Sequence, residues 1–190
     1  NRVWNQFTQR QELGRFGWKA GNPSLIQQAV SAFNNDMGIS SPYNPTATGD
    51  CTAKQPDCLK QPNGNTALQD NAEASEVMVK LVEFYSRNLA PPARLDFDKP
   101  QELKGKAIFH QSGCASCHQP SFTTAVRADM PEQSEQLIWP YSDLLLHNMG
   151  PGLADNRPEF LASGSEWRTP PLWGIGLTQT VNGHTYFLHD

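Results

Sequence analysis

Residues 105–118 read GKAIFHQSGCASCH, and the last five of them decide how the chain is read. Cys114-Ala115-Ser116-Cys117-His118 is C-x-x-C-H, the attachment sequence of c-type haem. The spacing has a chemical reason. Two thiols three residues apart reach the two vinyl groups of one porphyrin, and the next residue places an imidazole under the iron as proximal ligand. Apolar spacing predicts a helix from about Lys99 to Gln111 that delivers the chain into this turn, with Leu103, Ala107, Ile108 and Phe109 inward and Gly113 as its breaker. Two other readings of the cysteine pair fit less well. Structural zinc asks for about two further ligands at similar spacing, and Cys51 with Cys58 makes a poor second half-site. A redox C-x-x-C follows a strand in a βαβ unit, and no such pattern precedes Cys114. A haemless C-x-x-C protein that binds zinc or exchanges disulfides stays as the remote alternative.

Outward from the motif, the composition bounds the rest. The 190 residues carry 15 Lys and Arg against 19 Asp and Glu, a net charge of −4, and no long basic run. That balance argues against a nucleic-acid surface. No apolar stretch approaches the length of a membrane span. Fourteen Gly and 15 Pro imply many loops, while Trp, Phe and aliphatic residues spread along the chain exclude wholesale disorder. Gly174-Ile175-Gly176 lacks a third Gly and a following helix, so no nucleotide site is indicated. The N-terminus lacks a signal pattern and the C-terminus has no capping element, so both ends read as cuts inside a longer protein.

Two more helices are predicted upstream. In SLIQQAVSAFNNDMG, Ser24 and Gln27 form a capping box, Leu25, Ala29, Ala32 and Phe33 make a stripe, and Gly38 ends the element. From about Asn71 to Leu89, Ala74, Val77, Met78, Leu81, Val82 and Tyr85 line one face until Pro91-Pro92. Residues 39–69 between them form a long loop that holds Cys51 and Cys58. Beyond His118 the sequence predicts mostly loop, one short helix near Tyr141 to Asn148, and a β-hairpin turned at Asn182-Gly183. Covalent haem is installed outside the cytoplasm, so a periplasmic location is expected, and Cys51–Cys58 becomes a candidate disulfide against the alternative of two free thiols.

The sixth iron ligand is open between several residues. A distal Met raises the potential and suits electron transfer, whereas an open side suits peroxide chemistry. Met149, ahead of the turn-forming Gly150-Pro151-Gly152, is favoured. His147 is the alternative, and Met37, Met78 and Met130 have structural readings that fit better. His110, His184 and His189 read as surface or packing residues. Arg168, beside Trp167 and before Pro170-Pro171, suits a haem propionate as well as an ordinary ion pair. Trp139, Trp167 and Trp173 read first as packing residues and second as electron relays.

Seven stretches carry a resemblance: residues 14–39, the Cys51…Cys58 loop, 81–94, 105–120, 141–155, 166–176 and 186–190. Through them the chain resembles the bacterial di-haem oxidoreductases, a family labelled thiol oxidoreductases or peroxidases. More distantly, its last third is similar to the C-terminal haem domain of di-haem cytochrome c peroxidases. The resemblance implies an upstream haem-bearing half absent from this sequence and a small redox protein as donor or acceptor. It also implies that Cys114, Cys117 and His118 hold the electron-entry haem, with calcium as a second candidate cofactor. One departure stands out: where the peroxidases place their distal Met, this chain has Gly164-Ser165-Glu166. No third active-site Cys supports thiol oxidation.

The expected architecture is mainly α: a helical, loop-rich extension over residues 1–95, then a cytochrome c-like haem domain over 96–190 with a short β-hairpin near its truncated end. The expected function is the electron-transfer portion of a periplasmic di-haem oxidoreductase, peroxidase-like when complete. A five-coordinate haem that itself reacts with peroxide is the alternative.

Overall fold

The computed structural model describes residues 1–188; His189 and Asp190, the end of the last matching stretch, lie outside them. The chain divides into two compact units, neither of them contiguous. The N-terminal unit holds residues 2–17 and 21–89, and the C-terminal unit holds Asn1, Trp18–Ala20 and the chain from Ala90 onward.

The N-terminal unit opens with an antiparallel pair, β1 (Arg2–Asn5) and β2 (Arg10–Leu13). Asn5 Oδ1 accepts the Phe7 and Thr8 N–H groups and so closes the turn between them. Helix α1 (Leu25–Asn35) starts where Ser24 accepts the Gln27 N–H at 3.3 Å. Gln27 does not reach back to complete the capping box. Its side chain instead accepts from the Gln6 N–H and donates to the Trp4 carbonyl, which ties α1 to β1. Gly38, at φ 67°, ends the helix as expected, with the Ile39 N–H on the Phe33 carbonyl. A single turn, α2 (Pro56–Leu59), lies in the long loop beside the Cys51–Cys58 disulfide.

Helix α3 (Glu76–Arg87) begins five residues later than predicted, because Asp70 and Asn71 both sit at positive φ and Ser75 is the cap. It packs on α1, with Val30 and Val79 fully buried, each stabilising the unit by about 1.5–2 kcal/mol. The apolar face predicted for α3 is not the buried one: Val77 is 66% and Leu81 62% exposed. A polar knot holds the loop down. The Ser40 and Gly64 N–H groups donate to the two Glu73 oxygens at 2.8 and 2.6 Å, while Ser40 Oγ accepts the Glu73 N–H at 3.0 Å and pairs with Asn65.

The C-terminal unit begins with α4 (Pro100–Gln111), capped at Lys99 and led by Pro100 at its first position. Leu103 and Ile108, expected inward, are about half exposed, at 51% and 50%. Two short pieces of sheet follow. β3 (Phe122–Thr123) pairs with β4 (Leu137–Ile138), and β5 (Leu146–Asn148) pairs with β6 (Glu166–Arg168), setting His147 opposite Trp167. The Arg168 N–H also donates to the Trp18 carbonyl. The last element is α5 (Thr178–Asn182).

These elements overturn the mainly α, cytochrome c-like expectation: helix makes up only 31% of the chain and strand, isolated bridges included, 14%, and the strands among the described residues form three two-stranded antiparallel sheets. The cause is the proline spacing after His118. Pro120, Pro131, Pro140, Pro151, Pro158, Pro170 and Pro171 leave little room for a helix to propagate. The helix predicted near 141–148 is excluded by Tyr141 at φ 51° and Leu144 at φ 58°, and residues 146–148 pair as strand instead. The terminal hairpin is likewise absent among the described residues. Gly183, at φ 73°, caps α5, so Asn182-Gly183 ends a helix rather than turning a hairpin.

Candidate functional site

The C-x-x-C-H motif sits on a single 3-10 turn, Cys114–Ser116, directly after α4. Gly113, at φ 79°, bends the chain from helix into turn, a conformation that a side chain would penalise. Ser116 Oγ donates back to the Gly113 carbonyl at 2.7 Å, and the His118 N–H closes the turn on the Cys114 carbonyl at 3.0 Å. Both cysteines are thiols, Cys114 exposed and Cys117 half-buried.

His118 is buried, and its Nδ1 lies 2.8 Å from the Tyr141 carbonyl oxygen. A carbonyl only accepts, so Nδ1 carries the hydrogen, and in the neutral ring Nε2 bears the lone pair. The carbonyl is itself fixed. The Ser142 and Asp143 N–H groups donate to the Gln119 and Cys117 carbonyls, both at 2.9 Å, and the Ser142 hydroxyl donates to the Thr169 carbonyl at 2.7 Å. Phe109 packs edge-on against the Tyr141 ring at 5.7 Å and tilted against His118 at 6.2 Å. Arg94 lies over the other side of this cluster, with its guanidinium 5.8 Å from the Tyr141 ring and 3.4 Å from the hydroxyl.

His147, on β5, stands beside the motif with both ring nitrogens engaged. Its Nε2 is 2.7 Å from Asp143 Oδ2, and its Nδ1 is 3.7 Å from Cys117 Sγ. Partial burial alone would raise the Asp143 carboxyl. The Leu145 N–H, His147 and Thr169 outweigh it and hold that carboxyl below its usual value. Met149 directly follows β5, half-buried, its N–H on the Ser165 carbonyl. Arg168 is half-buried in β6, where burial pulls its guanidinium down, and its Nη1 donates to the Thr169 carbonyl at 3.2 Å.

The remaining candidates have surroundings of their own. Met37 and Met78 belong to the N-terminal unit and are about half exposed, while Met130 ends a loop before Pro131. His110 is exposed against the edge of Phe109, and His184 stacks on Tyr186 at 4.8 Å. Trp139 and Trp173 are largely exposed, and Trp167 donates its Nε1–H to the Leu153 carbonyl at 2.8 Å.

Four neighbours escaped the reading of the sequence: Phe109 as a clamp on His118, Tyr141, Asp143 and Lys19. Of these, Asp143 left a trace in Asp-x-x-x-His, four residues before His147. Lys19 is 2% exposed, and its ammonium donates to the Ser163, Gly164 and Glu166 carbonyls at 3.1–3.3 Å. It also pairs with Asp155 at 3.0 Å and sits 4.1 Å from the Trp167 ring centroid.

This donor set suits haem c and not structural zinc. Two thiols and a buried imidazole polarised through Nδ1 are the three protein groups that haem c requires. The same unit also presents Phe122, Leu137, Trp139, Leu145 and Trp173 at its surface. Zinc needs four converging ligands, and among the described residues no three Cys, His, Asp or Glu side chains converge.

No curated protein and no solved structure matches the chain. Residues 8–190 match the family model described as "Di-haem oxidoreductase, putative peroxidase", which covers nearly the whole length and every group of the site. The chain belongs to the di-haem oxidoreductase family.

Proposed function

We propose that Cys114 and Cys117 hold one haem c through thioethers, that His118 is its proximal ligand, and that this chain is the electron-transfer portion of a peroxidase-like di-haem oxidoreductase. The observation that carries the reading is the His118 Nδ1 to Tyr141 carbonyl bond, which fixes the tautomer with Nε2 as ligand. When bound, the haem supplies one-electron redox chemistry. The protein supports it by burying the imidazole, clamping it with Phe109, and feeding electron density into it through the Tyr141 carbonyl.

For the distal side the geometry favours Met149 over His147. Asp143 and Cys117 engage both nitrogens of His147, whereas Met149 brings a thioether directly after β5. Arg168 is proposed as a propionate contact, since its half-buried guanidinium in β6 offers the planar fork of donors that matches a carboxylate. The Cys51–Cys58 disulfide and the haem-attachment motif together support a periplasmic location. A small redox protein is the partner proposed, and no helix among the described residues is long and apolar enough to cross a membrane.

Expression with haem-maturation machinery tests it. The expected product keeps its colour after denaturation and shows sharp reduced bands of a low-spin haem, which Met149→Ala converts to a high-spin spectrum. A broad high-spin spectrum in the unaltered chain moves the assignment to peroxide chemistry at this iron. A colourless product, with a control cytochrome matured in parallel, ends the haem reading.

A further inference from the structure

Asp143 and His147 form a chain of contacts that an iron-ligand role for His147 leaves unexplained. The Asp143 N–H anchors the segment to the Cys117 carbonyl at 2.9 Å, and its Oδ2 takes His147 Nε2 at 2.7 Å. The Leu145 N–H holds the second carboxylate oxygen at 2.9 Å. An ionised carboxylate only accepts, so Nε2 bears the imidazole hydrogen. In that tautomer Nδ1 is an acceptor, and the group 3.7 Å away is the Cys117 thiol. Thiol, imidazole and carboxylate thus stand in the order of an activated nucleophile, its base and the group that orients the base. Cys114, three residues earlier, is exposed and has no imidazole or carboxylate partner among the described residues. The asymmetry between the two sulfurs is therefore built into the fold.

We propose that His147 is the base for attaching the cofactor at Cys117, with Asp143 as its positioning residue. The inference rests on the haem reading above and concerns the chain before haem is attached, when Cys117 is still a thiol. The Cys117 S–H bond breaks as an S–C bond forms at the vinyl carbon next to the porphyrin ring. The proton passes to His147 Nδ1 and is returned through water to the outer vinyl carbon, which becomes a methyl group. A thiol and a vinyl group give one thioether, with no electron gained or lost overall, and the co-reactant is iron protoporphyrin. The dyad does this for Cys117 alone, and Cys114 serves as an internal control in the same molecule.

The test uses the full apo chain, freshly reduced, with limiting iodoacetamide at one neutral pH and site-resolved peptide mass spectrometry. Cys117 is expected to alkylate several-fold faster than Cys114 although it is less exposed. His147→Gln and, separately, Asp143→Asn should slow Cys117 about a hundredfold, the lower edge of base catalysis, and leave Cys114 unchanged. A Cys117 slower than Cys114 in the unaltered chain overturns the proposal, and so do variants in which both sulfurs change together, the signature of a merely structural loss. In a second arm, incubation with reduced haem should give the adduct on Cys117 first, with Asp143→Asn delaying that adduct only. Adducts that form equally on both sulfurs, or unaffected by the variants, overturn the dyad and leave the haem reading intact. No adduct on either sulfur, with none after maturation machinery, overturns the haem reading itself.

Discussion

His118 Nδ1 donates to the carbonyl oxygen of Tyr141, 23 residues downstream, at 2.8 Å, and Tyr141 holds that oxygen in place from a left-handed backbone conformation, φ 51°. The residue therefore acts through two different parts. Its backbone sets the tautomer and angle of His118, and its ring packs with Phe109 and Arg94.

Substitutions at Tyr141 should separate these parts. A β-branched residue resists the left-handed region, so Tyr141→Val should cost about 2 kcal/mol from backbone strain added to the lost ring packing. Tyr141→Gly relieves the strain but loses the ring, and should cost less. Urea unfolding of both variants checks the order, and a Gly variant less stable than the Val variant would contradict it.

Lys19 is the second fixed point of the C-terminal unit. Removing its charge leaves Asp155 and three carbonyls without their shared donor, so Lys19→Met should destabilise the protein by about 3 kcal/mol. Lys19→Arg should recover only part of this, because a planar fork cannot converge on three carbonyls as a compact ammonium does. Denaturant midpoints for the two variants decide the point.

Acid should loosen the N-terminal unit through its carboxylates. The Glu73 carboxyl is held below 4.5 chiefly by the Ser40 N–H and then by the Gly64 N–H, and Glu12 is held down to about 2 chiefly by Arg10, with Asn5 and Thr8. Both folded values lie below the unfolded ones. Their contribution is thus complete above the unfolded pKa of about 4.5 and is lost as pH falls through the folded values. The urea midpoint should drop between about pH 4.5 and 2, and Glu73→Gln should flatten that slope. An unchanged slope would remove Glu73 from the account.

What the sequence revealed was local. Helices α1 and α4 were legible because their stops and starts are written in neighbouring residues: Ser24 and Gly38 for one, Pro100 and Gly113 for the other. The C-x-x-C-H motif is a five-residue pattern and stands out for the same reason. The Tyr141 carbonyl was not legible, because a backbone acceptor carries no residue signature, and the nearby Asp143–His147 pair left only its four-residue spacing as a trace. Asn182-Gly183 shows the remaining ambiguity: a left-handed Gly serves a hairpin turn and a helix cap equally well, and only a partner strand decides between them. Periodicity also misled for α3, where Val79, not the Val77 and Leu81 stripe, faces α1.

The placement of Lys19 in the C-terminal unit sets a schedule for biosynthesis. During translation this lysine leaves the ribosome 136 residues before Asp155 and more than 140 before Ser163, Gly164 and Glu166, whose carbonyls it needs. Contacts of such long separation form late. The C-terminal unit therefore completes only after residue 166 has been made, and a gene cut at residue 90 would discard its buried cation.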